Sequence, residues 1–236
     1  CASFSQKFFW AGLVGVFVFF GFGLFHSMVA HAATVTVSGT AYSDGGSTPL
    51  GQNQGLTLLK NGGSPQNTTT GSGGTFTLSG VVVNAGDILT LFMPSTGNKG
   101  VTVTSTGVTN ISGAQIYGGR LIVRNDGGPP ITTDDLATAN NGDANITAVY
   151  SVNSNTLIVA ANKTLKIWTG DVFQATGALD LNGNFEINGT ADIGSNTINI
   201  FGLFNMLGGS SSFLHTGMLI YDRNDGSTQT HTQGPS

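Results

Sequence analysis

Hydrophobic and polar positions along this chain fall into three regimes. From Phe8 to Phe25 nearly every residue is apolar, interrupted only by glycines. From Thr34 the pattern alternates, as in "TVTVSGTAYS", and a period of two predicts a strand with one wet face. "LTLLKNG", "TFTLSG", "GDILTLFMP" and "KGVTVTST" repeat that habit between Gly, Asn and Pro clusters, which are turn signals. Short strands at this spacing predict a β-sandwich over residues 33–118. Its expected core is Val35, Val37, Leu56, Leu58, Phe76, Leu78, Ile88, Leu89, Leu91 and Val101. Ile88 and Leu89 are neighbours, and on a regular strand neighbours face opposite ways, so this set is approximate.

The third regime, 119–236, opens with the strand "GRLIVRNDGGPP". "ITTDDLATANNG" is the best helix candidate: Thr132 or Thr133 can cap it, and Asp134 and Asp135 sit in a first turn that favours negative charge. After three more strand-like runs the pattern becomes repetitive. "ALDLNGNFEINGTADIGSNTINIFGLFNML" consists of three- to five-residue alternations broken at Asn-Gly, Gly-Thr and Ser-Asn. Such runs read as the rungs of a β-solenoid, with Leu179, Leu181, Phe185, Ile187, Ile193, Ile198, Ile200 and Phe204 stacked inside. Asn-Gly is equally a hairpin signal, so a second sandwich fits the same pattern. The expected fold class is all-β: an N-terminal apolar helix, an Ig-like or prealbumin-like sandwich, then a β-repeat region, truncated at its C-terminus.

The opening stretch has a basic residue, Lys7, an apolar run, and then "HSMVAHAA" with small Ala30 and Ala32 before Ala33. That order is the order of a secretory signal cleaved between Ala32 and Ala33. Eighteen helical residues reach roughly 27 Å, short of a comfortable bilayer span. A retained helix is the alternative, either as a membrane anchor or as a pilin-like stalk packed in a filament core. Type IV pilins carry an acidic residue at mature position five and no early basic residue; here those places hold Ser5 and Lys7. With no initiating Met before Cys1, the expectation is a chain that starts inside a longer reading frame; a lipidated Cys1 and a reactive thiol are the other readings.

Composition narrows the function. Charged residues make up 8% of the 236, against roughly 25% in a typical soluble domain. The net charge is −4, and the eight Lys and Arg are scattered singly. Nucleic acid, which needs a basic stripe, is not an expected partner. Cys1 is the single cysteine, so there is neither a disulfide framework nor a thiolate metal cluster. A surface solvated by Gly, Ser, Thr and Asn suits a secreted all-β protein.

The residues "VSGTAYSDGGSTPLGQNQGLTLL", "TTTGSGGTFTLSGV" and "AGDILTL" resemble the carboxypeptidase-regulatory-like, or collagen-adhesin B-type, β-sandwich of bacterial surface proteins. Gly39, Pro49, Leu50, Thr70, Gly74 and Phe76 occupy comparable places over about 60 residues. The resemblance implies a stalk or spacer module. Some members of that class carry a Lys–Asn isopeptide bond promoted by a buried acid; Lys60, Lys99, Asn61, Asn84, Asn98 and Asp87 are the residues available for one. Residues 119–236 resemble the β-strand repeats of large bacterial secreted proteins, in which further repeats follow.

Catalytic chemistry finds little material. No His lies between Ala33 and Leu214, which leaves His215 and His231 after the signal. A Ser/His/Asp or Cys/His site is therefore not expected, nor a zinc site. Asp180, Glu186 and Asp192 are six residues apart and are the carboxylates that would have to converge in a carbohydrate-active β-helix enzyme, since glycoside hydrolysis needs a facing pair. "DRNDG", Asp222 to Gly226, and "RNDGG", Arg124 to Gly128, resemble calcium loops but lack the full ligand spacing. Trp168, Tyr117, Tyr150 and Tyr221 are candidates for stacking on sugars, with a core role as the plainer reading. Sequons begin at Asn67, Asn110, Asn145, Asn162 and Asn188.

These observations point to a non-enzymatic, secreted or cell-surface structural or adhesion module with no cofactor. Its expected partners are other copies or other modules of a larger surface protein, and cell-surface glycan. It would touch a membrane only through residues Phe8 to Phe25, if these are retained. N-terminal sequencing and intact mass of the protein from its own cells should show a mature chain beginning at Ala33; a mature chain that keeps Phe8 would instead support the anchor or filament reading.

Overall fold

The computed structural model describes residues 32–94, 97–207 and 212–221. The chain divides into residues 1–31 and a second unit from Ala32 onward, and the described residues all lie in the second. The apolar run, Cys1 and Ala30 fall outside them, as do Asp222 to Gly226 and His231. Ala32 is exposed and Ala33 opens the first strand.

The protein is mostly β. The first seven strands are β1 (Ala33–Tyr42), β2 (Gly55–Lys60), β3 (Gln66–Thr69), β4 (Thr75–Val83), β5 (Ile88–Phe92), β6 (Val101–Thr106) and β7 (Ile111–Tyr117). A first coil follows: β8 (Arg120–Asp126), β9 (Ile131–Thr132), the helices α1 (Thr133–Asn140) and α2 (Ala144–Thr147), then β10 (Tyr150–Asn153) and β11 (Thr156–Val159). Later coils have three strands each: β12 (Thr164–Ile167), β13 (Val172–Gln174) and β14 (Leu179–Leu181); β15 (Asn184–Ile187), β16 (Thr190–Gly194) and β17 (Ile198–Ile200); β18 (Phe204–Met206), β19 (Ser212–His215) and β20 (Leu219–Tyr221).

Corresponding strands of successive coils pair in parallel and in register. Leu165 lies beside Phe185 and Phe185 beside Phe204 on one face. Leu179, Ile198 and Leu219 align on another. Phe173, Ala191 and Phe213 align on the third. The region is a three-faced β-solenoid with a coil of about 20 residues, which decides between the two architectures the repeats allowed. All eight residues expected inside the rungs are buried. Corners are tight. A Cβ on Gly183 would sit 1.9 Å from the carbonyl oxygen of Lys163, in the coil before it, so the Asn-Gly step marks a close backbone approach rather than a hairpin.

The large sheet joins this solenoid to the N-terminal strands. Its order is β18-β15-β12-β8-β6-β5-β2-β3. β6 and β8, on either side of residue 118, are parallel neighbours from Val101 beside Leu121 to Thr106 beside Asp126. A separate sheet, β4-β1-β7, covers one side of this region. Leu56, Leu58, Leu89 and Leu91 pack there with Val35, Val37, Phe76 and Leu78. Leu59, Ile88, Phe92, Val101, Val103, Leu121 and Val123 belong instead to the solenoid core. Ile88 and Leu89 are thus both buried, in two different cores, because the sheet is covered on both faces.

The helices close the first coil. Thr132 caps α1 with a reciprocal box: its Oγ1 accepts from the Asp135 N–H at 3.1 Å, and the Asp135 carboxylate accepts from the Thr132 N–H at 2.8 Å. Leu136 and Ala139 of α1, Ile146 of α2 and the following Val149 are fully buried against the solenoid core. Thr90 Oγ1 on β5 donates to the Ala139 carbonyl at 3.3 Å, and Tyr150 Oη donates to the Leu136 carbonyl at 3.0 Å.

Since one sheet serves both cores, calorimetry should show a single unfolding transition for residues 32–221. Phe173→Ala should lower stability by about 3–5 kcal/mol without splitting that transition. Gly183→Ala, which offers no space for the added carbon, should be at least as damaging.

Candidate functional site

The three carboxylates considered for polysaccharide chemistry do not meet. Asp180 lies on β14, Glu186 on β15 and Asp192 on β16, and these strands belong to three different sheets. Six residues is the step from one solenoid face to the next, so the spacing that suggested one surface carries each carboxylate round a corner. Asp134 and Asp135 serve the helix: Asp135 completes the cap and Asp134 accepts from Thr176 Oγ1 at 3.3 Å. Among the described residues no group of three or more His, Cys, Asp or Glu could hold a metal ion. "RNDGG" acts as a brace: Asn125 Oδ1 accepts from the Val172 N–H at 2.7 Å, and the Asn125 amide donates to the Pro129 carbonyl at 2.9 Å. His215 stacks on Phe213 with centroids 5.5 Å apart. Tyr150 is wholly buried, and burial pushes its hydroxyl far above the ordinary range.

Lys60, Asn61 and Asp87 do come together. The Asn61 amide donates to Asp87 at 2.8 Å, and Lys60 Nζ lies 3.7 Å from the same carboxylate. Lys60 and Asn61 are adjacent in the chain at a hairpin turn, and the Lys60 side chain is 38% exposed, which is the setting of an ion pair bracing two turns. Lys99 donates to the Pro94 carbonyl. Asn98 donates to the Ser43 carbonyl at 3.2 Å.

Tyr117 and Trp168, 51 positions apart, do meet. Trp168 follows Ile167, whose neighbour on β8 is Val123, so it projects from the outer face of the large sheet where β7 ends at Tyr117. The rings of Tyr42 and Tyr117 lie edge to face at 5.2 Å, and those of Tyr117 and Trp168 at 6.0 Å. All three are partly exposed. Glu186 takes Arg120 at 2.5 Å and Lys166 at 3.2 Å. Arg124 grips Asp126 with two nitrogens, at 2.6 and 2.8 Å, and donates to the Gly113 carbonyl at 2.9 Å. The Arg124 guanidinium and Lys166 Nζ lie 5.9 and 6.0 Å from the Trp168 ring centroid, within cation–π range. Burial raises the Tyr117 hydroxyl, helped by neighbouring Tyr42. Asp171, in the turn after Trp168, is pushed up to about 6 by desolvation, against a hydrogen bond from the Asn125 backbone and the Arg124 charge.

This corner is the richest chemical feature among the described residues. It holds aromatics, paired ions and amides. Sequence reading missed Tyr42, Arg120, Lys166 and Asp171, and took Arg124 only as part of a loop; the segments that carry them are far apart in the chain. One signal was present: Lys166 and Glu186 are one coil apart, the separation at which side chains become neighbours. No protein-family model, curated protein or solved structure matches the chain. No helix among the described residues is long and apolar enough to cross a membrane.

Asp171 makes stability depend on pH. Its folded carboxyl titrates near 6, above the ordinary 3.8, so folding favours the protonated form. That contribution is complete below about pH 4 and is lost as pH rises through about 6. Thermal melts should therefore show Asp171→Asn gaining on the unmodified protein between about pH 4 and about pH 6.5; parallel melting curves over that window would refute the assignment.

Proposed function

We propose that this chain is a non-enzymatic structural and adhesion module of a secreted or cell-surface protein. The carrying observation is the eight-stranded sheet that belongs to the N-terminal strands and to the solenoid at once. A joint made of shared backbone hydrogen bonds and two cores holds its parts at a fixed angle, as a spacer requires. In this reading residues 33–118 are a carboxypeptidase-regulatory-like β-sandwich and residues 119–236 a β-strand-repeat region. Residues 1–32 are a signal for export. Neighbouring copies, or further modules of a larger surface protein, are its partners. Dispersed hydroxyl and amide groups, only 8% charged residues and a lone cysteine support a protein that survives outside the cell on its hydrogen-bonded sheets alone.

Protease treatment of intact cells of the source organism tests this. The chain should be accessible to an antibody and removed by shaving, while the isolated folded protein resists the same protease for hours. Recovery only from the cytosolic fraction, with none accessible on cells or in the medium, would overturn it.

A further inference from the structure

The inner corner between the solenoid wall and the three-stranded sheet has features that a spacer does not need. Side chains that project outward from a flat sheet are ordinarily well solvated. Here Arg120, Glu186 and Lys166 are only 20%, 15% and 14% exposed. The end of β7 and the loop after β1 stand beside them: a Cβ on Gly45 would meet the Arg120 guanidinium, and one on Gly46 the Tyr117 ring. The solenoid face thus has a neighbour beside it: the ion pairs cover one another on the face, and the loop after β1 and the Tyr42–Tyr117 edge stand next to them.

The face continues along the coils. Lys166, Glu186 and Asn205 stand in one register row. Trp168 begins the row beside it and Asn188 follows, its amide oxygen accepting from Lys166 at 2.8 Å. Rows of neighbouring strands are spaced by about 4.8 Å, so donors and acceptors recur along a straight line. Local charge nearly cancels, because Arg120 and Lys166 share Glu186 and Arg124 is held by Asp126. That balance disfavours a phosphate backbone, and the polar face disfavours an apolar peptide. Aromatic rings flanked by a planar amide, a carboxylate, an ammonium group and guanidinium groups match a ligand that presents C–H faces and many hydroxyls.

We propose that this corner binds an extended glycan of β-1,4-linked pyranoses, one ring stacked on Trp168 and the hydroxyls of the next bonded to Glu186, Lys166 and Asn188. Arg124, fixed by Asp126 and the Gly113 carbonyl, backs the Trp168 ring. Lys166 Nζ, 6.0 Å from the ring centroid, stays on Glu186 and Asn188 and donates from there to a sugar hydroxyl. Equatorial β-1,4 links make a straight ribbon that follows the register rows; α-1,4 links make a curved chain that leaves them. The inference goes beyond the structural role and stands or falls separately from it.

The test is isothermal titration calorimetry of the full chain with cellohexaose, chitohexaose and maltohexaose. At least one of the two β-1,4 hexamers should bind, and maltohexaose should not. Trp168→Ala should weaken binding by about tenfold or more, Trp168→Phe much less, and Glu186→Gln several-fold. Gln174→Ala, on another solenoid face, should leave binding unchanged. Circular dichroism melts establish that each variant folds; if Trp168→Ala does not, Asn188→Ala and Tyr42→Ala carry the test. Failure of both β-1,4 hexamers to bind, equal affinity for maltohexaose, or unchanged binding by folded corner variants would overturn the proposal.

Discussion

A β-sheet buried on both faces is the constraint on which this structure depends. Along β5 every residue is buried, and the same is true of β6. Each side chain there must suit whichever core it enters. Alternation sorts them: Leu89 and Leu91 join the core under the three-stranded sheet, while Ile88 and Phe92 join the solenoid core. Threonines fill the remaining places because their hydroxyls find partners at once. Thr102 donates to the Gln115 carbonyl at 2.5 Å and Thr104 to Asp126 at 2.7 Å, so no hydroxyl of that pair is left unpaired where it would be costly.

The solenoid inherits its first coil from that sheet. β8 aligns the interior at Leu121 and Val123; β12 copies the alignment after the longer, helix-bearing first coil, and each later coil copies it about 20 residues on. The bore is filled by rows, such as Leu165, Phe185 and Phe204, whose rings stack at 5.5 Å between the last two. The helices α1 and α2 cover the bore where the first coil opens. A coil lacking that cover would leave interior rows in contact with water.

Much of this was legible in the sequence. Period-two runs located the strands, the eight rung residues were buried as expected, and Thr132 or Thr133 before Asp134 and Asp135 announced the helix, with the structure selecting Thr132 and Asp135 for its cap. What could not be read was pairing between distant strands. Nothing local says that β6 lies beside β8, or that Tyr42, Tyr117 and Trp168 share a surface, because those contacts are set by topology and not by spacing. The puzzle of Ile88 and Leu89 was a clue: two adjacent apolar residues within an alternating strand mean two cores. Similarly, the six-residue spacing of Asp180, Glu186 and Asp192 left open whether they converge, and the coil geometry puts them on three different sheets.

The parallel pairing of β1 and β7 bears on how the fold carries a load. Thr40 lies beside Gln115 and Tyr42 beside Tyr117, so the two strands run the same way. A pull on the start of β1 opposed by a pull on the end of β7 would draw them past each other lengthwise. Their hydrogen bonds would then resist together, as a lap joint does, instead of parting one at a time like a zip.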